Sequence, residues 1–317
     1  MVKVSVVVIT YNHERYIRQA LDSVLSQQTS FDFEVIISED CSTDTTREII
    51  FEYSKRYPDK IRLLLSETNV RSPWVVQRAI MAAHGEYVAL LEGDDYWISP
   101  QKLQKQAEFM DTHPECVLSW HQVEYIDEFG ARLPDQPLQL PYSNYTRRDI
   151  LAGRVVVATG ASMVRRIAVL PLPEWYCSAP VGDFPLWVHC LQFGYAASLH
   201  EIMGAYRIHP GSMFSGQDDL VQYEIIARVN SYVYGNAGNA VRAELRSRIP
   251  ELWLDLIFFQ RGRGDAAASR RTAREALRDC PTNPKLLLLA YAPWLWGPAQ
   301  TFYHIYKLII GRRQHEV

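Results

Sequence analysis

Apolar and polar positions come in alternating blocks along the first hundred residues. Val4–Ile9 is a continuous, β-branched run, as expected of a strand buried on both faces. From Glu14 to Ser26, Tyr16, Ile17, Ala20, Leu21, Val24 and Leu25 recur at helical spacing. The succession then repeats. Phe33–Ser38 predicts a second strand, and Thr43 or Asp44 can cap a helix that runs to about Tyr57. Ile61–Leu65 predicts a third strand and Pro73–Ala83 a helix, with Gly85 as its stop. Tyr87–Leu91 predicts a fourth strand, and Pro100–His113 a helix that Pro114 closes. This alternation implies an α/β fold with a mostly parallel central sheet flanked by helices.

Beyond Cys116 the pattern loosens. Val117–Tyr125 and Ala161–Val164 read as strands, Phe184–Phe193 as a helix ended by Gly194, and Ser198–Ile208 as a strand leading into the loop HPGSMFSG. After about Gly216 the periodicity is helical: Gln217–Tyr234, Ala240–Gln260 and Ala266–Cys280. The expected organisation is an α/β domain over residues 1–215 and a helical extension over 216–317.

Composition narrows the class. The 317 residues are 48% hydrophobic and 22% charged, as in an ordinary globular protein. A net charge of −3 gives no global basic field and argues against a nucleic-acid partner. The five cysteines form no C-x-x-C and read as reduced thiols of a cytoplasmic protein. MVKVSVVVIT is short, β-branched and followed by the polar TYN, so it reads as a first strand and not a leader. No uninterrupted apolar run reaches the ~18 residues of a spanning helix. Neither G-x-G-x-x-G nor G-x-x-x-x-G-K-[ST] follows a strand, so nucleotide recognition would rest on side chains at strand ends.

In parallel sheets, ligands bind beyond the carboxyl ends of the strands. Three polar segments fall there: Thr10-Tyr11-Asn12, Glu39-Asp40-Cys41-Ser42 and Glu92-Gly93-Asp94-Asp95. Adjacent carboxylates are costly without a compensating cation. Asp94 and Asp95, with Asp40 on the same rim, suit Mg²⁺ or Mn²⁺, hard ions that often bridge to phosphate. On residues alone, a hydrolase pairing Asp95 with Asp183 stays open, as does a nucleotide-sugar-binding protein without transfer activity. Asp183 precedes a helical run and could simply cap it. His121 could line a cleft or belong to the core.

Five segments, in order, resemble the family 2 glycosyltransferases, inverting enzymes of the GT-A fold: VSVVVITYNHERYIRQALDSVLSQ, VIISEDCSTDTTREI, GEYVALLEGDDYW, VGDFPLWV and YRIHPGS. The resemblance covers residues 1–215 and implies that they form a catalytic domain, with 1–97 the nucleotide-binding half and 98–215 the acceptor half, a nucleotide-sugar donor, UDP-linked, and a Mn²⁺ or Mg²⁺ cofactor. It places Thr10, Tyr11 and Asn12 on the donor, with Tyr11 stacked on the base and Asp40 bonded to it. Glu39 stands where the family usually has Asp. Asp94 would meet the donor ribose or sugar, Asp95 the metal, and Asp183 would be the general base. His209 would reach the diphosphate or the metal. Arg71 is a phosphate contact in a segment where Val70 replaces the usual Gly. The implied acceptor is a saccharide or a polyprenyl-linked saccharide, in cell-surface polysaccharide or lipopolysaccharide synthesis.

The C-terminus raises a separate possibility. Tyr291, Trp294, Trp296, Phe302, Tyr303 and Tyr306 crowd a proline-broken stretch, followed by Lys307, Arg312 and Arg313. Aromatics with flanking cations suit a membrane interface. Peripheral contact with the cytoplasmic face of the inner membrane and packing on the catalytic domain are both open readings.

Overall fold

The computed structural model describes residues 2–137 and 143–292. The chain divides into two compact units, with the division between Gly216 and Gln217.

In the first unit the opening blocks fold as β1 (Val4–Thr10), α1 (Ile17–Leu25), β2 (Phe33–Glu39), α2 (Thr46–Arg56), β3 (Ile61–Leu65), α3 (Trp74–Met81), β4 (Tyr87–Glu92), β5 (Tyr96–Trp97) and α4 (Lys102–Thr112). Then come β6 (Cys116–Ile126), β7 (Asn144–Tyr145), α5 (Arg147–Leu151), β8 (Ser162–Arg165), α6 (Arg166–Val169), α7 (Asp183–Cys190) and β9 (Tyr195–Arg207). Among the described residues, the nine strands form one sheet in the order β3-β2-β1-β4-β8-β6-β9-β5, with β7 on β9.

Pairing is parallel among β3, β2, β1 and β4. Past β4 the sheet turns mixed: β8 runs antiparallel to β4 and β6, while β6 and β9 are parallel. The short β5 and β7, which no hydrophobic run announced, pair antiparallel with β9. Two-residue strands carry too little pattern to be read from sequence.

The continuous apolar strands are explained by burial on both faces. Val4, Val6 and Val8 of β1 pack with Ile17, Leu21 and Val24 of α1 and Leu103 of α4. Val7 points the other way, to Ala79 and Ile80 of α3 and Leu186 and Trp187 of α7. The strand ends are thereby held in register, and the polar segments beyond them are brought to one rim.

Gly85 is not the stop of α3, which ends at Met81 and caps on Ala82. A Cβ on Gly85 would lie 2.5 Å from the Ser5 backbone nitrogen, so the glycine serves close approach to β1.

The second unit contains α8 (Asp219–Asn236), α9 (Asn239–Leu245), α10 (Arg248–Gly262), α11 (Ala266–Ala276) and α12 (Pro284–Tyr291). The single helix expected over Ala240–Gln260 is two. Pro250 lies in the first turn of α10, where its missing N–H costs nothing, but it cannot continue a helix from α9. Trp253, Ile257, Ala273, Ala276, Leu286 and Leu289 are buried in this unit. Trp253 Nε1 donates to Asp279 at 3.0 Å. Among the described residues, no helix is long and apolar enough to cross a membrane. Of the aromatic C-terminal stretch only Tyr291 and Ala292 lie within the described residues, so the interfacial reading of Trp294 to Arg313 falls outside them.

Candidate active site

The turns after β1, β2 and β3 share a backbone signature. Asn12, Cys41 and Arg71 have φ of 55°, 62° and 48°. Non-glycine residues in this left-handed region are uncommon and cluster where surrounding structure holds them for function. Asn12 N–H donates to Ser42 Oγ at 3.0 Å and its Oδ1 accepts from Thr43 N–H at 2.8 Å. Asp40 N–H donates to the Thr10 carbonyl at 3.0 Å. Both Asp40 carboxylate oxygens accept backbone N–H groups, from Val70 at 2.9 Å and Arg71 at 3.0 Å. Asp40 therefore fixes the segment that carries Arg71, whose side chain is exposed. Glu39 is fully buried and bonded to the Arg47 guanidinium, which also donates to the Ser66 carbonyl at 2.8 Å. Tyr11 is half-buried beside these turns.

The turn Glu92-Gly93-Asp94-Asp95 joins β4 to β5 and carries the acidic cluster. Gly93 is required there: a Cβ would lie 2.8 Å from both His13 Nδ1 and Thr10 Oγ1. Asp94 Oδ2 lies 3.1 Å from His209 Nε2 and 3.7 Å from His13 Nε2. Burial pushes the Asp94 carboxyl up, but His13 and His209 outweigh it and hold the group below the ordinary aspartate value. His13 in turn is pushed down by burial, against the pull of Asp94.

Asp95 is in a different position. It is 4% exposed, and its Oδ1 accepts the Arg207 backbone N–H at 2.8 Å. Burial, then the charges of Asp94 and Glu92, drive it well above the aspartate range. Glu92 is pushed up to about 8 by burial, with the charge of Asp94 next and Asp183 contributing. Its Oε2 is buried with no hydrogen-bond partner.

Arg207 ties the turn to its surroundings. It is 3% exposed, with Nε donating to the Asp94 carbonyl at 2.8 Å and Nη2 to Gln19 Oε1 at 2.8 Å. Nη1 reaches the Asp127 carbonyl at 3.2 Å, and the guanidinium stacks 4.6 Å from the Tyr16 ring centre. Tyr16 also packs on His209, centroid to centroid 5.0 Å.

Asp183 is the first residue of α7, following the N-cap Gly182. Its Oδ1 accepts the Phe184 N–H at 2.7 Å, and burial raises its carboxyl above the ordinary value. The structure brings Thr10, Asp94 and His209 together through His13, and brings Asp40 onto Arg71. The two residues expected on the metal, Asp95 and His209, do not pair with each other; the imidazole turns to Asp94. His121 is a buried histidine of β6, its Nδ1 2.8 Å from the Gln122 carbonyl.

Sequence reasoning passed over His13 and Arg207, and placed Glu92 on the rim without a role. His13 adjoins the rim segment TYN and Arg207 opens the RIH of the last motif, so adjacency was the available signal. Among the described residues, no group of three or more His, Cys, Asp and Glu is placed to hold a metal by itself.

A mixed sheet whose parallel half ends in an acidic turn, with left-handed turns on the same rim, is the arrangement of the GT-A fold, and solved structures share it. The Staphylococcus aureus TarS 1–349 structure in complex with UDP-GlcNAc superposes with TM-score 0.63 at 21% identity, covering 90% of this chain and 83% of that one. The family model "Glycosyl transferase family 2" matches residues 5–170, and the chain belongs to that family. The putative teichuronic acid biosynthesis glycosyltransferase TuaG of Bacillus subtilis is 31% identical over 216 residues, 68% of this chain and 82% of TuaG. An uncharacterized Mycobacterium tuberculosis protein is 40% identical over 213 residues, 65% of this chain. The chain spans 58% of that relative's length.

Proposed function

We propose that this chain transfers a sugar, with inversion, from a UDP-linked donor to a hydroxyl of a saccharide or lipid-linked saccharide in cell-surface polysaccharide assembly. The observation that carries the reading is the acidic turn after β4, faced by His209 from the loop after β9, in a chain of this family. The names of the relatives support the class of product: TuaG is assigned to teichuronic acid biosynthesis, and TarS was solved with UDP-GlcNAc. A cytoplasmic reaction, peripheral to the membrane when the acceptor is lipid-linked, follows from this reading.

The roles divide by environment. Tyr11 and Asp40 would receive the base, and Asn12 and Arg71 the neighbouring donor atoms. Asp183 would take the acceptor hydroxyl proton; burial raises its proton affinity toward that of a working base. A divalent ion, Mn²⁺ or Mg²⁺, fits the residues present. Buried carboxyls in mutual repulsion and an orphaned Glu92 oxygen favour a cation. Such ions are commonly held by one or two carboxylates plus substrate phosphates, so a three-residue protein cluster is not required. Asp94 and Asp95, adjacent in the turn, with His209, are the residues we assign to it: His209 Nε2 faces Asp94 Oδ2 at 3.1 Å, and a bound cation would favour the ionised form of both carboxyls. When bound, the ion would offset charge on the diphosphate leaving group.

The test is a calorimetric titration of UDP with Mn²⁺ and with a chelator, followed by a screen of UDP-sugars for release of UDP. Tighter UDP binding with Mn²⁺ and turnover of a UDP-sugar are the expected outcomes. Equal affinity under both conditions removes the metal assignment, and absence of UDP binding removes the donor.

A further inference from the structure

The second unit carries a cationic face that the transfer reaction does not use. Arg270 and Arg274 lie four residues apart on α11, and Arg278 follows four further on, in the turn that closes the helix. All three are exposed, as is Arg271, whereas Ser269, Thr272, Ala273 and Ala276 form the buried side. The neighbouring acids are committed elsewhere. Asp265 caps α11 by accepting the Ala268 N–H at 2.7 Å. Glu275 pairs with Arg228, and Asp279 accepts from Trp253 and Ser231. Among the described residues no ion pair involves Arg270, Arg271, Arg274 or Arg278.

Beside this stripe, α12 exposes an apolar edge. Leu287 is 39% and Tyr291 61% exposed, four residues apart on one helical face. The Arg274 guanidinium sits 5.9 Å from the centre of the Tyr291 ring, so the cationic stripe and the apolar edge form one continuous surface. Cations next to an aromatic and an aliphatic side chain match a bilayer interface, with phosphate outside and acyl chain beneath. In a protein of net charge −3, the segregation of positive charge to this face matters more than the total.

We propose that the α11–α12 face is a docking surface for an anionic lipid bilayer. The attraction is electrostatic in range and is fixed by Tyr291 and Leu287 at contact. An arginine near an anionic leaflet strengthens partition about fivefold, so three together contribute on the order of a hundredfold. The proposal goes beyond sugar transfer and stands without it, since none of its residues belongs to the candidate active site.

The test is co-sedimentation of the full chain with vesicles of phosphatidylglycerol in phosphatidylcholine, and with phosphatidylcholine alone. The parent is expected to sediment with the anionic vesicles, to remain free of the neutral ones, and to be released by high salt. The variant R270E/R274E/R278E is expected to lose at least about a hundredfold in partition, since the attraction is removed and repulsion added. Tyr291→Ala is expected to lose several-fold, and both variants should keep the parent's thermal midpoint and UDP affinity. Three results overturn the proposal: equal binding to both vesicle types, unchanged binding of the triple variant, or stronger retention on a single-stranded oligonucleotide than on anionic vesicles. Unchanged binding of the triple variant would pass the contact to residues 293–317. Loss of UDP binding by the parent would count against the donor reading alone.

Discussion

At the residue scale, the acidic turn is a set of carboxyls with separate environments. Asp94 is held below the ordinary aspartate value by two histidines, whereas Asp95 is buried against a backbone N–H and the Glu92 Oε2 is buried without a hydrogen-bond partner. Asp94→Asn and Asp95→Asn should each weaken the Mn²⁺ dependence of UDP binding, both read by calorimetry; unchanged dependence in either variant would remove that residue from the metal. Asp183→Asn should keep UDP affinity and lower transfer by roughly 10²–10⁴-fold. Full activity in that variant would exclude Asp183 as the base. Arg207 is buried and its guanidinium donates to three segments, so Arg207→Ala should destabilise by roughly 2–3 kcal/mol in denaturant melts. Arg207→Lys keeps the charge without the planar fork and should recover only part of that loss.

At the element scale, the packing of α4 on β6 buries ionisable groups away from the site. Lys102 is fully buried, with Nζ 3.3 Å from the Ser162 carbonyl and 4.0 Å from the Trp97 ring centre. Burial, then the charge of Lys102, pushes His121 down to about 3 from its ordinary 6.5. The folded-state value lies below the unfolded one, so the unfolded chain binds the extra proton between them. The stability that His121 confers is thus complete above pH 6.5 and falls away as the pH drops toward about 3. By pH 5 the loss should reach about 2 kcal/mol. Thermal melts of His121→Gln across this window should show a shallower decline than the parent; parallel curves would exclude the histidine as the cause.

At the scale of the whole molecule, the site is assembled from strand ends far apart in sequence. Asp94 and His209 are 115 positions apart, and Asp95 and Arg207 are 112. The parallel half of the sheet needs no such contact to be legible, because each strand announces itself by a continuous apolar run. The mixed half does. β5 and β7 are two residues each and exist only because β9 offers them an edge. The vesicle experiment belongs at this scale too, since it asks whether the helical unit acts as a surface apart from the fold that holds the site.

Sequence alone determined the strand–helix alternation, the polar rim beyond the strands and the motifs that mark the family. Those are local properties, set by side-chain periodicity and by turn residues a few positions apart. It identified the carboxylates but could not assign their partners. Adjacent residues in a turn point in different directions, and which of them meets an imidazole depends on where a strand more than a hundred residues later comes to rest. Only the tertiary structure turned His209 to Asp94, put the Arg207 backbone on Asp95 and exposed the arginines of α11 beside Tyr291. The physical reason is common to all three: charge state and exposure are properties of a packed environment, which emerges only when distant elements close around the group.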